Sequence, residues 1–211
     1  MFDFLINGLM SVPGILVGFV FHEYAHAFVA DRLGDKTPRM QGKLTFDPRV
    51  HIDWIGFIFI LLVGFGWAKP VQINTRNFRK PRRDHILVSL AGPVMNLIVA
   101  AVFLLILKLL IATGVLNEYS SLNLNLTIIN VFSYSAFINV ILFVLNLLPI
   151  PFFDGYSILS NLINTWKYRI FAIMEQYSMF VFLILYVTNV FSYIIRTPAS
   201  FIFSYLQRFI L

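Results

Sequence analysis

The chain contains no cysteine, which excludes disulfides and leaves any bound metal to histidine and carboxylate ligands. Charge is scarce too. Only 12% of its 211 residues are Asp, Glu, Lys or Arg, against about a quarter in ordinary soluble domains. Ile86–Leu107, Gln176–Ile195 and Tyr119–Phe153 carry no charged side chain at all, and each is long enough to match the roughly 20 residues with which a helix crosses a bilayer core. No internal repeat or low-complexity tract interrupts this pattern. The longest polar stretches, Asp31–Asp53 and Lys69–Asp84, are loops and leave no room for a sizeable soluble domain. The opening MFDFLINGLM has neither a basic n-region nor a small-residue cleavage site, so it does not read as a cleaved signal peptide.

What is present is apolar: 59% of residues are hydrophobic. The expected fold class is all-α and integral to the membrane, a bundle of about four to six transmembrane helices forming one membrane-embedded domain over residues 1–211. A first helix is expected from about Phe4 to Leu33, three longer ones near 85–113, 126–149 and 169–195, and a short interfacial stretch at Ala199–Leu211. Trp54–Ala68 is only 15 residues long and holds Gly56, Gly64 and Gly66, which favours a re-entrant element over a crossing. Loose alternation in Arg39–Asp47 can form a small β element on the cytoplasmic side with Val71–Asn74.

The net charge of +6 raises nucleic acid as a partner, but its distribution excludes that reading. Eleven of the sixteen Lys and Arg residues lie between Arg32 and Arg83, beside apolar spans. This is the signature of loops retained on the cytoplasmic side, with the lipid bilayer and its anionic headgroups as the partner. Residues 114–125 hold Glu118 and no basic residue, so they are expected outside, with the 69–84 loop and the Lys167–Arg169 segment inside. A re-entrant 54–68 then places the N-terminus outside.

The chemistry centres on HEYAH at 22–26. On a helix, positions i and i+4 share a face, so His22 and His26 can offer two imidazole nitrogens to one ion. Glu23 stands beside the first ligand, placed to act on a water without occupying the metal. This is the zinc-protease pattern with glutamate as general base. It follows the uncharged run Phe4–Phe21, and ionisable residues inside a membrane helix mark function by default. Catalytic zinc usually takes three protein ligands. Asp154 is the better third candidate because it is the only acidic residue between Glu118 and Glu175. Pro149 and Pro151 break the helix before it and Gly155 permits a tight turn after it. The alternative for Asp154 is N-cap of a short helix over Gly155–Ile163.

With these residues in place the chain resembles the site-2 protease family of intramembrane zinc metalloproteases, in its compact bacterial form without a PDZ domain. The likeness is carried by the H-E-x-x-H helix, GWAKPV at 66–71, AGPVMN at 91–96 and the DG turn at 154–155. Phe153 stands where the family commonly has leucine. The resemblance implies one Zn2+ per chain bound by His22, His26 and Asp154, water activation by Glu23, and Asn146 steadying substrate or oxyanion. It implies transmembrane or membrane-associated protein substrates, a bacterial cell membrane and an active site toward the cytoplasm. A substrate helix must unwind before cleavage, and Gly42–Phe46 can receive it as an added strand. Gly92, Pro93 and Asn96 read first as helix-packing residues, His51 and Asp53 as loop ties, and His85 as interfacial. A zinc transporter or other metal-binding membrane protein, or an inactive scaffold, would draw on the same ligands. The positioned Glu23 favours hydrolysis over both.

Overall fold

The computed structural model describes residues 2–63, 66–116, 122–163, 168–188 and 190–211. In chain order the helices are α1 (Phe2–Leu33), the single turns α2 (Thr37–Met40) and α3 (Pro48–His51), α4 (Trp54–Val63), α5 (Pro81–Ala112), α6 (Leu122–Asn146), α7 (Asp154–Ile163), α8 (Arg169–Gln176), α9 (Ser178–Val187) and α10 (Val190–Ile210). Among the described residues three are long and apolar enough to cross a membrane: the Gly8–Leu33 part of α1, all of α5, and the Leu124–Asn146 part of α6. The chain is an integral membrane protein of all-α class. Its outer surface is apolar as a bilayer demands. On α5, Leu87, Val94, Ile98, Val102, Leu105 and Leu109 are exposed, whereas Asp84, Ser89 and Asn96 are buried.

Helices α1, α5 and α6 pack against one another, and α7 lies on α5. Close approach of α1 to α6 depends on glycine. A Cβ on Gly14 would strike the backbone of Ser135, and one on Gly18 would lie 2.5 Å from Asn139 Oδ1. Small residues at four-residue spacing let membrane helices meet backbone to backbone. A second cluster joins α5 and α6 to α9 and α10 through Leu104, Val140, Val144, Phe182 and Ile195.

The two ends of the 54–68 segment come together, as a re-entrant element requires. The Lys69 N–H donates to the His51 carbonyl at 2.8 Å, so the chain returns to the point it left. Helix α4 has ten residues, about 15 Å of rise against a core of about 30 Å. Gly56 lies hard against the backbone of Trp67, where only glycine lets the returning arm approach. Asp53 Oδ1 caps α4 by accepting the Ile55 and Gly56 N–H groups at 3.0 and 2.9 Å.

Three expectations differ from the structure. No strand occurs among the described residues, so the small β element is absent. Around Gly42 (φ +68°) the chain turns, and the Gly42 and Lys43 N–H groups are taken by the Arg39 and Pro38 carbonyls. Val71–Asn74 is extended, but its ends donate to carboxylates: Val71 N–H to Glu23 Oε2 at 2.9 Å and Asn74 N–H to Asp35 Oδ2 at 2.7 Å. The long helix expected near 169–195 is divided instead into α8, α9 and the start of α10, interrupted at Tyr177. At the end of α9 the Thr188 N–H and hydroxyl both donate to the Ile184 carbonyl, at 3.0 and 2.6 Å. Ala199–Leu211 is the second half of α10 rather than a separate piece.

The basic loops are fastened by buried aspartates. Asp31 accepts a two-pronged bond from Arg39 at 2.9 and 2.8 Å. Asp35 is fully buried and accepts from Thr37 N–H and Oγ1, Asn74 N–H and Asn77 Nδ2. These bonds hold the chain after α1 against the chain before α5, so the basic segments frame the C-terminal end of the H-E-x-x-H helix.

Candidate metal centre and active site

Each element brings one part of the centre. Helix α1 carries His22, Glu23 and His26, all buried. Helix α5 supplies Val88, Gly92 and Asn96. Asp154 arrives at the first position of α7, after a turn that holds Phe152 at φ +86°. That backbone conformation is unusual for a residue with a side chain and costs on the order of 1–3 kcal/mol. Gly155 is needed there because a Cβ would run into the carbonyls of Leu147 and Leu148.

The turn brings Asp154 to the histidines. Its Oδ2 lies 3.3 Å from both His22 Nε2 and His26 Nε2, and the two nitrogens are 3.0 Å apart. The remote ring nitrogens fix the tautomers. His22 Nδ1 is 2.7 Å from Asn96 Oδ1, and His26 Nδ1 is 2.7 Å from the Val88 carbonyl. Both partners are acceptors, so each Nδ1 carries the proton and each Nε2 presents a lone pair. Asp154 Oδ2 is buried and has no hydrogen-bond donor. Three lone-pair atoms thus converge in a group that could hold a metal ion. The edges also fit. A tetrahedral ion bonded at about 2.0–2.1 Å has ligand-to-ligand distances of about 3.3–3.4 Å.

Gly92 forms the wall of this centre. A Cβ there would fall against His26 Nε2 and lie 2.6 and 2.7 Å from His22 Cε1 and Nε2. The sequence places Gly92 and Asn96 in helix packing; the structure sets Gly92 against both imidazoles and Asn96 against His22. A glycine and an asparagine one turn apart on a membrane helix were the only available signal. His85, read as interfacial, accepts from Asn161 Nδ2 at 2.9 Å and so links α5 to α7. Asn161 itself was not singled out.

Glu23 is held by Val71 through the bond described above. Around that strap lie two more buried groups. Lys43 Nζ donates to the Val50 and Lys69 carbonyls at 2.9 and 3.2 Å. Burial pushes its ammonium below the ordinary lysine value, with Glu23 opposing and Lys69 reinforcing. His51 is fully buried and donates Nε2–H to the Thr45 carbonyl at 2.8 Å, and burial lowers its pKa. His51 thus ties the loop at Thr45, whereas the carboxylate of Asp53 caps α4. Asn146, at the end of α6, donates Nδ2 to the Leu142 carbonyl of its own helix at 3.0 Å.

A membrane-helix bundle that buries two imidazoles, a carboxylate oxygen and an adjacent glutamate defines a membrane-embedded metallohydrolase. The model for "Peptidase family M50" matches residues 10–121 and 109–188. The chain belongs to this family, the site-2 proteases, and is a zinc metallopeptidase. It is 42% identical to "Putative zinc metalloprotease YwhC" of Bacillus subtilis, over 86% of this chain and 81% of that protein. It is 34% identical to "Putative zinc metalloprotease Rip2" of Mycobacterium tuberculosis, over 84% of this chain and 66% of that protein. Identity to "Putative zinc metalloprotease MJ0611" of Methanocaldococcus jannaschii is 29%, over 79% and 74% of the two chains. No solved structure matches. Family membership makes Zn2+ the cofactor, and the His22–His26–Asp154 group could hold it.

Proposed function

We propose that this zinc metallopeptidase is an intramembrane endopeptidase in which His22, His26 and Asp154 hold one zinc ion and Glu23 is the general base. The observation that carries the reading is the triangle of unprotonated donor atoms, with edges of 3.0, 3.3 and 3.3 Å. Zinc bound there supplies an acidified water and a Lewis acid for the scissile carbonyl. Glu23 would serve there as the proton carrier, accepting a proton at its carboxylate and passing it to the leaving amine. The Val71 N–H keeps one carboxylate oxygen oriented, leaving the other for proton transfer. Asn146 donates to the oxyanion after its amide leaves the Leu142 carbonyl.

The substrates are transmembrane or membrane-associated proteins whose helix opens locally. Residues 1–211 act as one domain, since α1, α5 and α7 meet at the centre and α6 packs on both α1 and α5. The active site faces the cytoplasm, because the basic loops adjoin the inner end of α1. The test is cleavage of a membrane-protein substrate in proteoliposomes by wild type and Glu23→Gln. The variant is expected to retain zinc and to lose cleavage by at least about a hundredfold, the scale of general-base catalysis. Undiminished turnover would remove Glu23 from the role.

A further inference from the structure

Asn139 lies on α6, is fully buried and forms its side-chain hydrogen bonds with Asn96, Gly14 and Ser135, none of them a ligand residue. It is nevertheless joined to His22 by an unbroken chain of hydrogen bonds. Asn139 Nδ2 donates to the Gly14 and Ser135 carbonyls at 2.9 and 2.8 Å. With both donors committed, its Oδ1 is left as an acceptor, and it takes Asn96 Nδ2 at 3.1 Å. Asn96 Nδ2 also donates to the Gly18 carbonyl at 3.2 Å. The Asn96 oxygen must therefore point the other way, where it accepts the His22 Nδ1 proton at 2.7 Å. Every amide in this series has one permitted orientation, and the direction is set by backbone carbonyls on two helices. The series runs beside α1 at four-residue steps through Gly14, Gly18 and His22.

We propose that Asn139 is a positioning residue that selects the metal-binding tautomer of His22 by fixing the orientation of Asn96. The inference rests on the His22–His26–Asp154 reading above. Without an acceptor at position 139, nothing but the Gly18 carbonyl opposes rotation of the Asn96 amide. The rotated amide presents Nδ2 to His22 Nδ1, which must then accept, and the imidazole proton moves to Nε2. There it meets Asp154 Oδ2, 3.3 Å away. Histidine and aspartate then satisfy each other by a hydrogen bond, and the lone pair needed for zinc is gone. Asn139 decides between a centre that binds metal and one that closes on itself. Gly18 leaves the space this requires, since a Cβ there would crowd Asn139 Oδ1.

Outer partners of metal-ligating histidines are worth about 10- to 100-fold in metal affinity, and this is the range expected for Asn139. The experiment measures zinc affinity of the purified full chain in detergent by competition with a chelator. Wild type is compared with Asn139→Leu, Asn139→Ala and Asn139→Asp, and thermal unfolding of the zinc-free forms is followed alongside. Leu and Ala both remove the acceptor, one filling the space and one emptying it, so a single folded variant suffices. Each is expected to weaken zinc at least tenfold. The buried acid form of Asp keeps a carbonyl for Asn96 and a hydroxyl for Gly14, so Asn139→Asp is expected to recover most of that loss. Zinc affinity unchanged in a folded Leu or Ala variant overturns the proposal. Equal weakening by Asp, tracking lost thermal stability, also overturns it, because packing alone would then account for the effect. A folded wild type that binds no zinc contradicts instead the metal-centre reading beneath it.

Discussion

Gly92→Ala is the sharpest steric probe of the centre. A methyl group at this position would stand 2.6 and 2.7 Å from His22 Cε1 and Nε2, and closer still to His26 Nε2. Comfortable non-bonded separation is about 3.5 Å, so the rings must withdraw by about 0.8 Å. Metal–ligand distances tolerate only about 0.2 Å. The centre cannot accept both methyl and zinc, and zinc affinity is expected to fall at least about a hundredfold, roughly 2.8 kcal/mol. Helix stability moves the other way, because alanine is favoured over glycine inside a helix by about 0.5–1 kcal/mol. The zinc-free variant should therefore melt close to wild type while binding zinc poorly. Gly8→Ala is the control, as its Cβ would meet nothing nearer than the Leu61 carbonyl at 3.9 Å. The assay is chelator competition beside thermal unfolding in detergent. Zinc binding by Gly92→Ala equal to that of the Gly8→Ala control would refute the geometry.

Asp35 makes the loop framework acid-sensitive. Burial works to raise its pKa, but the donors of Thr37, Asn77 and Asn74 outweigh it and hold the carboxyl below the ordinary value. A depressed carboxylate stabilises the fold fully above its unfolded pKa of about 3.9, and that contribution disappears as pH falls through the lower folded value. Melting temperature should drop as pH is lowered from about 5 into this window, and Asp35→Asn should flatten that part of the profile; an unaltered profile would show that Asp35 is not the responsible group. Orientation is testable because the chain is free of cysteine. In intact cells an impermeant thiol reagent should label Thr113→Cys from outside, and reach Arg49→Cys and Arg76→Cys only after permeabilisation. Labelling of Arg49→Cys and Arg76→Cys from opposite sides would contradict the re-entrant path of residues 54–68.

The ligand set was legible in the sequence because its chemistry is local. His22 and His26 share a helix face by spacing alone, and Asp154 stands out because almost everything around it is uncharged. Helices α1, α5 and α6 follow from the length of their apolar runs. The divided stretch from Arg169 was not legible, since α9 is as apolar as a spanning helix. The small sheet was misjudged for a related reason. Alternation in Arg39–Asp47 says nothing of the carboxylates of Glu23 and Asp35, which capture the neighbouring extended segment. Asn96 and Asn139 were invisible as a pair because their partnership exists only once α1, α5 and α6 are packed. Asn146 remains a proposal drawn from resemblance, with its amide turned onto its own helix.

The central claim is that two remote stretches of chain share one zinc ion, and elemental analysis of purified protein tests it most directly. Wild type is expected to hold about one zinc per chain, and Asp154→Ala to lose it or bind it far more weakly while remaining folded. Zinc retained at wild-type affinity in Asp154→Ala would take Asp154 out of the ligand set and contradict the account.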